Sequence, residues 1–368
     1  MRLETSPDPA RNRGNAAANA GLVPLRFRDD PILWAGWLYA EDGLTQSEIA
    51  KTMGVSRATV NSYLAEARSR GIVNLAMDAA RLSEFTIAQA LRQRFNLRDC
   101  VVIPIVETGR PLAQRLGDAG ARVLERLLRP GDAVGIGWGR TMIALARAMS
   151  GHRLTDAAVV QVTGGCSASV DFTPEQCVSA LAASLSARAV NITAPSVVSS
   201  RTIRDMLMAE PVLLGQFEMA RKVDKVVFGI GSTRAESSLH ASGFYPVADQ
   251  ANPALQRATA MIAGRLIDAQ GAPVAGDLDD RTIGLTLEEL SRIKMRLAVA
   301  GGAEKVPAIL AALRGRHVDI LVTDAGTGEG ILRAEGVPDT LSLTRNTRRA
   351  QVHGGEALKT KKLINDPK

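Results

Sequence analysis

The sequence predicts an N-terminal all-α, winged helix-turn-helix domain followed by an α/β domain with a mainly parallel sheet. Three observations carry this expectation. Residues 44–70 hold two helical patterns broken once, at Gly54. From Cys100 onward, short continuous apolar runs alternate with helical patterns, as in a parallel sheet covered on both faces. Glycine-bearing loops follow five of those runs, where open α/β sheets bind their ligands. A chain of 368 residues has room for two or three domains.

Residues 1–28 hold Pro7, Pro9, Asn12, Gly14, Asn15 and an Ala/Asn tract and read as a disordered arm. Residues 29–78 read as the helix-turn-helix domain. Its scaffold helix covers 31–41: Pro31 suits a first turn, and Ile32, Leu33, Trp34, Trp37 and Leu38 form an apolar stripe. Thr45 caps the next helix, with Glu48 three residues on as in a capping box. Ile49, Ala50 and Met53 are its buried stripe. Gly54 provides the left-handed turn that is cheap only for glycine. Ser56 caps a second helix with the inner face Val60, Tyr63, Leu64 and Ala67, and Gly71 stops it. Residues 72–77 read as a short strand or the start of a linker.

The outer face of that second helix has the make-up needed to enter a DNA major groove. It presents Ser56, Arg57, Thr59, Asn61 and Ser62, all short or forked donors. Arg57 can fork onto a guanine or a phosphate, Asn61 can pair with adenine, and a threonine methyl can touch thymine. Thr45 and Gln46, at the start of the first helix, complete the candidate DNA contacts. An alanine-rich helical hairpin is the plain alternative. The joint agreement of cap, glycine, small and apolar positions favours double-stranded DNA as a partner.

Residues 81–95 form a further helical pattern with Leu82, Phe85, Ile87, Ala88 and Leu91 on one face. It is placed in a linker helix, 79–98, that joins the domains or pairs with its copy in a dimer. The α/β domain spans 99–343. Strands are expected at 101–106, 133–138, 158–163, 225–230, 296–300 and 320–324, and helices at 112–128, 141–149, 175–185, 304–313 and 328–335. Residues 241–290 show no regular pattern. Residues 344–368 read as a loose basic tail.

The net charge is +7, much of it in that tail. The helix-turn-helix region is near balance: Lys51, Arg57, Arg68 and Arg70 face Glu41, Asp42, Glu48 and Glu66. Bulk charge therefore does not carry the DNA reading; the motif does. Three cysteines and four histidines, with no Cys-x-x-Cys pair, argue against a metal site. Sparse cysteines, no signal-like segment and no apolar run of membrane length fit a cytoplasmic protein without a membrane partner.

The loops after the strands read Gly135-Ile136-Gly137-Trp138-Gly139-Arg140-Thr141, Thr163-Gly164-Gly165, Gly229-Ile230-Gly231-Ser232-Thr233, Gly301-Gly302-Ala303-Glu304-Lys305 and Thr323-Asp324-Ala325-Gly326-Thr327. Singly, each is ordinary strand-to-helix punctuation. Together at one sheet edge they would build one pocket. Its candidate residues are Gly137, Gly139, Arg140, Thr141, Thr163, Gly164, Gly165, Gly231, Gly301, Gly302, Lys305 and Asp324. Arg140, Thr141 and a helix N-terminus favour an anion. Lys305 opposes the dipole of its own helix, so it serves a ligand there or is simply solvated. The G-x-G-x-G spacing, with no acid ending the next strand, does not make a dinucleotide fingerprint, and no cofactor is expected.

With these residues in view, the chain resembles the SorC family of bacterial transcriptional regulators, in the wider group that includes deoxyribonucleoside and central glycolytic gene regulators. The resemblance spans about residues 33–343. It rests on Leu44-Thr-Gln-Ser-Glu-Ile-Ala, Gly54-Val-Ser-Arg, Gly131-Asp-Ala-Val-Gly-Ile-Gly-Trp-Gly-Arg-Thr, Gly229-Ile-Gly-Ser, Ala300-Gly-Gly-Ala-Glu-Lys and Leu321-Val-Thr-Asp. It implies a ligand domain similar to sugar-phosphate isomerases and glucosamine-phosphate deaminases. It implies a sugar, polyol or sugar-phosphate effector, operator DNA, a homodimer or homotetramer, and control of a carbohydrate operon. By the same resemblance, Gly139-Arg140-Thr141 and Lys305 match the phosphate end of the pocket, and Thr163 a polar position that helps hold the effector. One departure stands out. The family's acidic residue three before the glycine of Gly264-Arg265-Leu266-Ile267-Asp268 is here Met261.

The competing reading is a sugar-phosphate isomerase or deaminase carrying a DNA-binding module. Such chemistry needs a general base beside the substrate. The candidates are Asp324, then Asp171 and Asp277; no histidine lies in a pocket loop. A regulator without catalytic residues is the expectation.

Overall fold

The computed structural model describes residues 23–24, 27, 30–72, 79–105, 109–150, 154–166, 170–234, 239, 242–245, 249 and 251–337. The chain divides into two compact units, Met1–Asp78 and Ala79–Lys368, each taken here by itself.

In the first unit three helices close on one small core: α1 (Pro31–Ala40), α2 (Gln46–Met53) and α3 (Arg57–Ser69). Asp30 caps α1, its carboxylate accepting from the amides of Ile32 at 2.9 Å and Leu33 at 3.2 Å. Gly54 ends α2 at φ 69°, ψ 28°, the left-handed turn read from the sequence. Trp34, Ala35, Leu38, Ile49, Met53, Val60 and Leu64 are buried together. Phe27, assigned to the arm, belongs to this core: it is buried and its ring stacks on Trp34 at 6.4 Å. Phe27 packs against both indoles of α1, its ring centre also 6.1 Å from that of Trp37. Trp37, placed in the inner stripe, is instead 46% exposed. Of the arm, residues 1–22, 25–26 and 28 lie outside the described residues, as does 73–77 of the stretch read as a short strand or the start of a linker. Residues 30–72 contain helix and turn only.

The second unit opens with α4 (Ala79–Phe95), followed by β1 (Asp99–Ile103), α5 (Leu112–Leu127), β2 (Ala133–Ile136), α6 (Arg140–Ala148), β3 (Ala158–Gln161), α7 (Pro174–Leu185) and β4 (Arg188–Val190). Helices α8 (Arg201–Met208) and α9 (Pro211–Arg221) precede β5 (Lys225–Phe228) and β6 (Ile230–Ser232). Then come α10 (Pro253–Arg257), β7 (Ala260–Ile262), β8 (Arg265–Ile267), α11 (Asp277–Arg281), α12 (Leu287–Ser291) and β9 (Met295–Val299). A 3-10 turn (Ala303–Lys305), α13 (Val306–Arg314), β10 (Ile320–Asp324) and α14 (Ala325–Ala334) complete it.

Seven strands form one parallel sheet in the order β1-β10-β9-β5-β2-β3-β4. Successive side chains point to opposite faces, and both faces of the central strands are buried, while edge strand β4 is largely exposed. Val160, Val226, Ala298 and Leu321 pack with Ile87, Leu91, Phe217, Ile309 and Ile331 of α4, α9, α13 and α14. Val159, Val227, Val299 and Val322 pack with Leu116, Leu124, Leu145 and Leu181 of α5, α6 and α7. Helices α5 and α6 approach closely at Gly117, where a β-carbon would lie 2.7 Å from both Ala144 Cβ and Leu145 N.

The helix expected as a linker is part of this unit. Ile87 and Leu91 of α4 are fully buried in its core, because both edge strand β1 and α14 need an apolar cover. The unassigned segment 241–290 supplies β7 and β8, which with β6 form a three-stranded antiparallel sheet. Its strands are three residues each, too short to show alternation. Helix α8 was also missed: none of its residues is buried, so its apolar residues mark no core stripe. The basic tail, 344–368, lies outside the described residues. Among the described residues, no helix is long and apolar enough to cross a membrane.

Candidate functional site

The chain order runs outward from β2 to β4 on one side of the sheet, and from β5 through β9 and β10 on the other. The direction reverses between β2 and β5, the place where open α/β sheets leave a crevice at their carboxyl ends. A cavity of about 260 Å³ lies there, lined from the segments after β2, β5 and β9, with the start of α5 and Met261 of β7 completing it.

Arg140 and Thr141 enter it from the first turn of α6. No side chain caps that helix; its N-cap is Gly139, at φ 120°. The first helical bond runs from the Ile143 amide to the Gly139 carbonyl, which leaves the earlier amides of the turn for a ligand. Arg140 is steadied from below, its guanidinium 5.6 Å from the centre of the Phe172 ring. Lys305 enters from the turn after β9, beside Glu304. Burial pushes the Lys305 ammonium below its ordinary pKa; Glu304 acts against this and Arg140 adds to it. The Lys305 ammonium makes no ion pair or hydrogen bond among the described residues, while its backbone amide donates to Gly302 O at 2.9 Å. Lys305 is only half-buried, but a partly desolvated cation without a hydrogen-bonded counter-ion still carries a cost, and an anion in the cavity would offset it.

Of the residues singled out from the sequence, the cavity gathers Gly137, Gly139, Arg140, Thr141, Gly231, Gly301 and Lys305. It does not gather Thr163, Gly164, Gly165, Gly302 or Asp324. The loop after β3 is roofed by other backbone: the Gly164 amide donates to Ile283 O at 2.9 Å and the Gly165 amide to Ala194 O at 2.8 Å. Asp324 is buried and caps α14, accepting from the Thr327 amide at 3.0 Å and the Thr327 hydroxyl at 2.5 Å. Its other bond, from the Gly302 amide at 3.0 Å, ties the loop after β9 in place. Three loops, not five, build the cavity. The sequence reading passed over Arg234, which lines it two residues past Ser232. It also gave no apolar wall: Phe228 and Leu239 line the cavity beside Trp138, noted only within its loop, and Met261, noted only as a departure from the family pattern. The run Gly229–Arg234 after a strand was the available signal for Arg234; Met261 lies in the segment without pattern, 241–290, and Leu239 just before it.

The general-base candidates are committed elsewhere. Asp324 holds α14; Asp277 pairs with Arg281 at 2.9 Å, and Asp171 is exposed, 4.0 Å from Arg147. Burial pushes the thiols of Cys100, Cys166 and Cys177 up to about 12, so none is a ready nucleophile.

On the first unit, the predicted DNA-reading residues divide in two. Thr45 and Glu48 form a reciprocal capping box, with the Thr45 amide donating to Glu48 at 2.8 Å. That bonding holds the Glu48 carboxyl below its ordinary pKa. Ser56 accepts from the Thr59 amide at 3.0 Å, and their hydroxyls share a 2.8 Å bond. These residues shape the helix starts. Gln46 is half-buried, while Arg57, Asn61 and Ser62 are exposed, and none of these three side chains makes a bond to another described residue.

A helix-turn-helix unit followed in the same chain by an α/β unit with a switch-point cavity defines the class of DNA-binding regulators that carry a ligand domain. The comparisons agree. Residues 81–333 match the Sugar-bind family of sugar-binding domains, and residues 37–70 match region 4 of sigma-70. The chain is 33% identical over 315 residues to the uncharacterized transcriptional regulator YjhU of Escherichia coli K12, covering 84% of this chain and 96% of that one. It is 29% identical over 309 residues to the erythritol catabolism regulatory protein EryD of Brucella abortus, covering 83% and 96%. The crystal structure of the full-length sorbitol operon regulator SorC from Klebsiella pneumoniae superposes with a TM-score of 0.63 at 27% identity, covering 82% of this chain and 98% of that one. The chain belongs to the SorC family of sugar-binding transcriptional regulators.

Proposed function

We propose that this chain binds an operator through α2 and α3, and that a sugar, polyol or sugar-phosphate effector in the cavity controls its affinity for that DNA. The observation that carries the effector half is the meeting of Arg140, Arg234 and Lys305 with the uncapped start of α6 around one crevice. That arrangement suits a phosphate or another oxygen-rich group. The relatives' names supply the setting: one is a sorbitol operon regulator and another an erythritol catabolism regulatory protein. The protein then works in the cytoplasm as a regulator, not an enzyme. The test combines selection of bound duplexes from random DNA with titration of sugars, polyols and their phosphates. A selected sequence whose affinity no such compound alters would overturn the control proposed here.

Two expected results follow for the DNA half. Arg57→Ala should weaken binding to the selected duplex by about 1–3 kcal/mol, the worth of one good base contact. Arg57 is exposed and makes no bond to another described side chain, so the melting profile should not move. Unchanged affinity at fixed salt removes Arg57 from the interface. The second concerns assembly. One recognition helix reads few base pairs, and regulators of this type double it on two-fold sites with half-sites about one turn, or a multiple of it, apart. A dimer or tetramer is therefore expected, and light scattering that finds only a 39.0 kDa species at micromolar protein would sink the idea.

A further inference from the structure

The lining of the cavity splits by chemistry. Cations come from the loops: Arg140, Arg234 and Lys305. The wall made by the small antiparallel sheet is apolar, with Ile230, Met261 and Ala263 beside the buried Leu239. Met261 sits on the middle strand of that sheet, directly across from Gly231. Gly231 has no side chain to shield it; a β-carbon there would meet the Met261 methyl at 3.4 Å. The thioether therefore owns this stretch of wall, and backbone bonding to strands on both sides occupies the amides and carbonyls around it. The uncharged polar groups of the lining are the Thr141 and Ser232 hydroxyls and the Trp138 indole N–H, and Glu304 adds a carboxylate beside Lys305; none of these lies on β7 or β8, and Ser232 Oγ already accepts from the Arg234 amide at 3.3 Å.

A ligand hydroxyl pressed against Met261 thus finds no partner and loses its water. A methylene or methyl in the same place gains by leaving water. We propose that Met261 makes this site select a small organic phosphate whose carbons facing the β6–β7 wall carry no hydroxyl, over its fully hydroxylated counterpart. The inference rests on the anion reading given under Proposed function and narrows it: cations hold the phosphate, and the thioether reads the carbon chain.

The experiment is calorimetric titration of the full chain with two matched pairs. These are 2-deoxyribose 5-phosphate against ribose 5-phosphate, and n-propyl phosphate against glycerol 3-phosphate. The deoxygenated member of each pair should bind about tenfold tighter, a modest figure for an apolar pocket that meets an added hydroxyl. Met261→Gln keeps the side-chain length and offers an amide; it should bring each ratio to about twofold or below. Met261→Leu, still apolar, should keep the preference. Equal or tighter binding of the hydroxylated members to the native chain overturns the proposal, as does an unchanged ratio in Met261→Gln. Phosphates that bind without preference defeat this inference alone; no binding by any of the four at millimolar concentration defeats the anion reading with it. Should Met261→Gln fail to fold, the two pairs on the native chain still decide.

Discussion

Arg265→Leu is expected to lower the melting midpoint of the α/β unit by on the order of 10 °C. The guanidinium is 5% exposed and each of its nitrogens is used. Nε donates to Leu285 O at 3.0 Å, Nη1 to Asp279 O at 3.1 Å and Oδ1 at 2.8 Å, and Nη2 to Thr282 O at 3.3 Å and Gly284 O at 2.8 Å. It thereby pins segment 279–285 to β8. That same segment roofs the end of β3, through bonds from Leu285 N to Val162 O and from Gly164 N to Ile283 O. Leucine fills much of the volume but leaves several buried carbonyls and one aspartate without a donor. The Asp279 carboxylate is 40% exposed and regains water, so the cost lies in the carbonyls left without a donor, about 1–3 kcal/mol for each that is buried, and a domain of this size loses about 2–4 °C per kcal/mol. Arg265→Lys keeps the charge and loses the fork, so it should fall between the two. Thermal unfolding followed by circular dichroism decides. A leucine variant that melts within about 2 °C of the parent shows that the fork does not hold the segment.

Arg265 also shows where sequence reading stopped. It was visible only as one letter in Gly264-Arg265-Leu266-Ile267-Asp268, because its partners are backbone carbonyls 14 to 20 residues away that no side-chain pattern encodes. The parallel sheet was legible because its strands are apolar on both faces and its helices are long enough to show a period. The three-residue strands β6, β7 and β8 carry neither signal. The helix-turn-helix was legible down to Gly54 and the capping box, since each rests on one residue type at one local spacing. For the cavity, Arg140, Thr141 and Lys305 were found from the rule that ligands sit after strands. The same rule pointed to Thr163 and Asp324, which do not line the cavity. Which loops face the crevice depends on strand order, and strand order is not written locally. Asp324 illustrates the ambiguity: an acid at a strand's end reads equally as a ligand group or as the cap of the next helix, and here it is the cap.

Lys305→Ala should cost tenfold or more in affinity for an anionic effector while leaving operator affinity without effector unchanged. The ammonium faces the cavity with Arg140, and a desolvated charge-assisted hydrogen bond is worth about 1.5–3 kcal/mol, or one to two decades at about 1.4 kcal/mol each. The variant would hold its DNA and ignore the signal. The pH dependence gives a second reading of the same residue. Burial, reinforced by Arg140 and opposed by Glu304, sets the Lys305 pKa below that of a free lysine. Effector affinity should therefore decline as pH rises through that lowered value, and Lys305→Ala should lack the decline. For stability the sign is opposite to that of a lysine gaining a partner. Between the folded and unfolded pKa values the unfolded chain binds the additional proton, so stability rises with pH across that window. Charged Lys305 is thus a cost to the empty fold, greatest below its folded pKa. Lys305→Met, which keeps the stem and drops the charge, should melt no lower than the parent at neutral pH in the absence of effector. Full effector affinity in Lys305→Ala by calorimetry removes the lysine from the binding site; a clear loss of stability in Lys305→Met shows instead that the ammonium is part of the scaffold.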